Sequence, residues 1–137
     1  MNSIVKNWIF TDLLESLHLI LKNVNSNHCT NTEIVELDWL DPHYTPTEPP
    51  DFIFSIDGIY NPALSLPLAK TIDLCAGDNT IVLILAELRE PEALEIFLEE
   101  MRKLKFKIRR VIFDESDELN GQFVLWIASK LELNFVN

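Results

Sequence analysis

The sequence predicts a layered α/β domain built on a mostly parallel sheet. Three observations carry that expectation. Apolar runs of strand length alternate with segments whose apolar residues recur at helical spacing. One run, TIVLILA at 80–86, is apolar on both faces, as expected of a central strand covered on both sides. The last two strand patterns have no helix between them, which predicts an antiparallel final strand at the edge.

The elements follow in order. NWIFT at 7–11 reads as a buried strand ending at Asp12. Leu14, Leu17, Leu21 and Val24 then recur at helical spacing, with Asp12 placed to cap the helix and Asn25, Ser26 and Asn27 to end it. Glu33–Asp38 reads as a second strand running into Trp39. The stretch from Leu40 to Asp51 holds four of the seven prolines and reads as a long surface loop rather than a linker. FIFSI at 52–56 is a continuous apolar strand ending at Asp57. Pro62 suits the first turn of a helix carrying Leu64, Leu68 and Ile72 and ending near Gly77. Pro91 opens another through about Leu104, with Leu94, Phe97, Leu98 and Met101 facing inward. Phe106, Ile108, Val111 and Phe113 mark a strand, 114–120 an acidic loop, and FVLWIA at 123–128 the last strand.

At 137 residues the chain suits a single domain, 1–137. Eleven Lys+Arg against 22 Asp+Glu leave a formal charge of −11. Nonspecific nucleic-acid binding and attachment to anionic membranes both draw on basic residues, so neither is expected. The three glycines, Gly58, Gly77 and Gly121, are far apart, which excludes a GxGxxG or P-loop phosphate cradle within the chain. Cys29 and Cys75 are not in CxxC spacing, and His18, His28 and His43 are scattered, so no metal site is expected. MNSIVKNWIF does not read as a signal peptide, and the expected location is the cytoplasm or nucleus.

Open α/β sheets bind ligands beyond the carboxyl ends of their strands. The residues there are Asp12, then Asp38-Trp39, then Asp57 and Tyr60, then Glu87 and Arg89. Asp12 suits either a ribose acceptor or a helix cap. Trp39 suits either stacking on a base or a lid over the sheet edge. Asp57 and Tyr60 could orient an amine, or serve as a turn-capping Asp beside a packed Tyr. Glu87 and Arg89 could pair with each other or with Glu90 as surface ions.

Four segments of this chain carry a resemblance: WIFTDLLESLHLILKNVNSN, VELDWLD, PPDFIFSIDGIYNPALSLPLAKTIDL and TIVLILAELREPEALEIFLEEM, together covering about residues 8–101. They resemble the seven-β-strand protein-lysine methyltransferases, family 16, and SIDGIYNP looks like that family's Asp-x-x-Tyr motif. The resemblance implies the C-terminal part of a class I, Rossmann-like three-layer sandwich, using S-adenosylmethionine to methylate a lysine of a protein such as a chaperone or translation factor. It implies that Asp12 holds the cofactor ribose, that Trp39 flanks the adenine and that Ile56 contacts the cofactor through its backbone. Asp57 and Tyr60 would line the site where the lysine meets the methyl group. Glu87 and Arg89 resemble a Glu-x-Arg at the end of the fifth strand. The family's first strand and its Glu/Asp-x-Gly-x-Gly loop have no counterpart here, so an N-terminally truncated domain is expected, with a partner covering the open sheet. A noncatalytic interaction module is the alternative.

Overall fold

A computed structural model describes residues 5–111 and 123–132. The predicted 114–120 loop and Phe113 lie outside the described residues. The chain divides into two compact units, Met1–Tyr44 and Thr45–Asn137.

The first unit is a βαβ unit: β1 (Trp8–Asp12), a 3-10 turn (Leu14–Ser16), α1 (Leu17–Ser26) and β2 (Thr32–Glu36). β1 and β2 are parallel, with Phe10 opposite Ile34 and Asp12 opposite Glu36. The ladder extends past β2 because Leu37 N–H donates to Asp12 O at 2.9 Å. The return from α1 uses His28 and Asn31 at φ 52° and 57°, a left-handed region that Asn and His enter more readily than most residues. Helical spacing admits both Leu17–Leu21–Val24 and Leu17–Ile20–Val24, and the helix buries the second stripe. Val24 is buried and Leu17 and Ile20 half-buried, whereas Leu14 and Leu21 are 64% and 51% exposed. The tighter 3-10 start puts Leu14 out of phase with the α-helical stripe that follows.

The second unit carries β3 (Phe52–Ile56), α2 (Pro62–Cys75), β4 (Ile81–Glu87), α3 (Pro91–Lys103), β5 (Lys107–Val111) and β6 (Phe123–Ser129). Its sheet order is β3-β4-β6-β5, with β3 and β4 parallel and β6 antiparallel to both β4 and β5. The antiparallel final strand is therefore present, but it is interior, and β5 takes the edge.

One face of this sheet forms the core. Ile53, Val82 and Ala128 align across it, as do Ser55, Ile84 and Trp126. Val82, Ile84 and Ala128 have no exposed surface, and neither do Ala93, Phe97 and Met101 of α3. Burying such side chains is the main term holding the unit together, at roughly 1.5–3 kcal/mol for each large one. Of the four α3 residues expected to face inward, Phe97 and Met101 are fully buried, whereas Leu94 and Leu98 are half-buried and also line an open surface groove with Leu88 and Pro91.

The opposite face carries Phe54, Leu83 and Ile127 in register, then Ile56, Leu85 and Leu125. Its coverage falls off toward β3: Leu83 and Leu85 are half-buried, Phe52 and Phe54 are each 51% exposed and Ile56 is 67% exposed. TIVLILA is thus an interior strand, fully covered on one face only, and FIFSI alternates rather than being buried throughout.

α2 starts as its sequence predicts. Asn61 caps it by accepting from Ala63 N–H at 3.0 Å, and Pro62 occupies a position whose N–H has no helical partner. The proline loop is tied down by Thr80, whose hydroxyl donates to Pro50 O at 2.7 Å and accepts from Gly77 N–H at 2.9 Å. No helix among the described residues is long and apolar enough to cross a membrane.

Candidate functional site

In the second unit, β3 and β4 run parallel, so both carboxyl ends lie at the same edge of the sheet. Asp57 follows β3 directly and its N–H donates to Leu85 O at 2.8 Å, which continues the ladder by one residue. Its backbone then turns at φ 54°. Asp tolerates this left-handed region better than most residues, at some cost in strain. Ile59, only 2% exposed, pins the turn into the core. Tyr60, one residue on, is 49% exposed, so the turn presents a carboxylate and a phenol three positions apart.

Glu87 ends β4, and Arg89 follows it with its N–H donating to Glu87 O at 2.9 Å. The Arg89 guanidinium reaches across to the neighbouring strand end. Its Nη2 donates to both carboxylate oxygens of Asp57 at 2.8 Å, and its Nη1 lies 3.2 Å from Glu87 Oε2. The structure therefore gathers Asp57, Glu87 and Arg89 into one ionic cluster of net charge −1.

Of the alternatives the sequence offers, a packed Tyr60 is not found, because it is half exposed, and the Asp57 carboxylate accepts from Arg89 across the strand ends. Arg89 does pair with Glu87, but its second partner is Asp57 and not Glu90. Sequence reasoning missed that fork because the two residues are 32 positions apart. The available signal was the parallel β3–β4 pair, which puts residues just past each strand side by side.

In the first unit, Asp12 is the last residue of β1 and Trp39 follows the carboxyl end of the parallel β2. Asp12 does not cap α1. Its Oδ1 accepts from Leu13 N–H at 2.7 Å, and the N-cap of α1 is Ser16, which makes no side-chain cap bond. Asp38 Oδ1 accepts from Leu40 N–H at 2.8 Å, an Asx turn that presents the half-buried Trp39 at its tip. An exposed carboxylate at one strand end and an indole on a constrained turn at the next can accept from hydroxyls and cover an aromatic ring. Ile56, at the end of β3, is 67% exposed.

Comparisons with known proteins agree with this architecture. The chain resembles a methyltransferase from Pyrococcus furiosus at a TM-score of 0.65 and 17% identity, covering 90% of this chain and 62% of that one. A rRNA methylase from Streptococcus thermophilus matches at a TM-score of 0.63 and 18% identity, covering 93% and 75%. At these identities the likeness establishes the methyltransferase fold, with its mostly parallel sheet and antiparallel strand. A curated relative, described as a diaminohydroxyphosphoribosylamino-pyrimidine deaminase of Schizosaccharomyces pombe, is 32% identical over 103 residues, covering 72% of this chain. The chain spans only 25% of that relative's length. A family model described as lysine methyltransferase matches residues 4–104, and the chain belongs to that family.

Proposed function

We propose that this chain is part of an S-adenosylmethionine-dependent methyltransferase that modifies a lysine of a protein substrate, such as a chaperone or translation factor, in the cytoplasm or nucleus. The observation that carries the reading is the family match over residues 4–104, within which the Asp57–Tyr60 turn stands at a strand's carboxyl end.

Each unit offers groups of a suitable kind. In the first, the exposed Asp12 carboxylate suits ribose hydroxyls and the Trp39 indole suits an adenine; in the second, the exposed Ile56 at the end of β3 suits a contact through its backbone. A glycine cradle for the methionine end is a different matter. Gly77 is packed against Pro49, and Gly58 belongs to the Asp57 turn. When bound, S-adenosylmethionine supplies an electrophilic methyl group on a sulfonium. The chain's own contribution is to place the acceptor. Asp57 and the Tyr60 hydroxyl accept hydrogen bonds from the lysine amine and aim its lone pair. Positioning of two reactants supplies much of such a rate enhancement. The net negative cluster at Asp57 also attracts a basic side chain.

The second reading is a noncatalytic methyltransferase-like interaction module. Two measurements on the whole protein separate the readings. S-adenosylhomocysteine at about 100 times its Kd raises the stability of a binding protein by about 2.7 kcal/mol, visible as a rise in melting temperature. Transfer of a labelled methyl group to lysine in a cell extract, located by mass spectrometry, tests the acceptor. An enzyme gives both signals. No thermal shift and no transfer would leave the interaction module standing.

A further inference from the structure

We infer that Arg89 is a positioning residue that fixes the orientation of the Asp57 carboxylate, with Glu87 anchoring the guanidinium. The inference rests on the proposed role of Asp57 at the acceptor lysine.

The geometry is specific. A single Arg89 nitrogen, Nη2, contacts both Asp57 oxygens at 2.8 Å, while Nη1 is held by Glu87 at 3.2 Å. The Arg89 backbone is itself fastened to Glu87 O. These attachments lead from the end of β4 to the turn after β3.

Stability does not account for the arrangement. The Arg89 and Asp57 side chains are 48% and 54% exposed, and exposed ion pairs contribute little to folding. The chain nevertheless holds Asp57 in the left-handed region, with a glycine at the very next position, where that backbone would carry no strain. A carboxylate kept in a strained turn and then gripped by both oxygens has its direction set before any substrate arrives. A bonded carboxylate can still accept a further hydrogen bond, because its two oxygens offer about four lone-pair sites. Lysine at position 89 would keep the charge but lose the planar fork.

The test compares R89K, R89A and E87Q with the wild type in the whole protein. The expected result is a fall in kcat of about 10-fold to 100-fold in both Arg89 variants, since small misplacements carry such costs. A smaller fall is expected in E87Q, where only the anchor is loosened. KM for the lysine substrate and Kd for S-adenosylhomocysteine should stay within about twofold, the signature of an interaction realised in the transition state. Failure of R89K to rescue R89A marks geometry rather than charge as the contribution. Full kcat in R89K overturns the inference, and so does a joint rise of KM and Kd with a drop in melting temperature, which marks a merely structural residue.

A second readout does not depend on turnover. Nitrogen NMR should resolve separate, slowly exchanging Arg89 Nη signals in the wild type that merge in D57N. A mobile Arg89 in the wild type overturns the inference. A wild type that is locked by NMR but transfers no methyl to any lysine places the failure in the functional reading, and the positioning role falls with it.

Discussion

β1 and β4 look alike in sequence and fare differently in the structure. Both are apolar strands with a parallel partner. In β4, Val82 and Ile84 have no exposed surface and Ala86 has 2%. In β1, four of the five residues are exposed and Phe10 is half-buried, with Trp8 at 37% and Ile9 at 38%. The difference is in neighbours. β4 lies between β3 and β6, over a core that holds Phe97 and Met101 of α3. β1 pairs only with β2 among the described residues and packs on a short α1. Hydrophobicity marks a strand's capacity for burial, and strand order decides whether that capacity is used.

The largest effect that can break this comparison comes from truncating one side chain in each unit. Phe97→Ala removes a fully buried ring from the second unit and should cost about 3–5 kcal/mol in chemical denaturation. Leu21→Ala removes a side chain that is 51% exposed and should stay within about 0.5 kcal/mol. Equal losses would mean that the first unit is packed more tightly than its surface indicates.

The same contrast explains what could be read before the structure. Strand and helix periods, which follow from local geometry, located each described strand and α-helix but not the 3-10 turn at Leu14–Ser16. Pro62 in the first turn of α2 and the antiparallel last strand were equally legible. The interior place of β6 was not, since strand order depends on contacts that leave no local period. The stripe of α1 was ambiguous because two spacings satisfy one helix. At the candidate site, the strand-end positions of Asp12, Trp39, Asp57 and Tyr60 were legible. The Arg89 fork was not, because it joins two strand ends that only the fold brings together.

A middle-sized effect tests how firmly the proline loop is held to the second unit. A Cβ on Gly77 would sit 2.7 Å from Pro49 Cβ and 2.9 Å from Pro49 Cγ. Pro49 is a ring and cannot swing aside, so Gly77→Ala should cost about 1–3 kcal/mol through overpacking. Thr80→Val keeps the shape but removes a donor to Pro50 O and an acceptor for Gly77 N–H. It should cost about 1–3 kcal/mol, because the part-buried Pro50 O and Gly77 N–H lose their bonds. Because both changes strike one joint, the double variant should lose less than the sum of the two singles. Strict additivity would show that the two contacts act independently.

The smallest effect sharpens the comparison without altering stability, because each unit carries one free cysteine. Cys29, in the turn after α1, is exposed, and Cys75, at the end of α2, is partly covered. Burial raises the Cys75 thiol above its ordinary pKa by penalising the thiolate. The thiolate is the reactive form, so alkylation of the native protein near pH 8 should label Cys29 well before Cys75. Unfolding in urea should make the two rates converge. The sign of the linkage follows. The raised folded pKa of Cys75 favours the native state below the thiol's ordinary range, and this contribution is lost as pH rises through that range and the raised folded value. Above it, Cys75 should gain reactivity in step with local opening of the end of α2, whereas Cys29 should follow the chemistry of the reagent alone. Equal labelling in the native protein would mean that the end of α2 opens as readily as the turn after α1, and the contrast between a packed unit and an exposed one would not extend to that helix end.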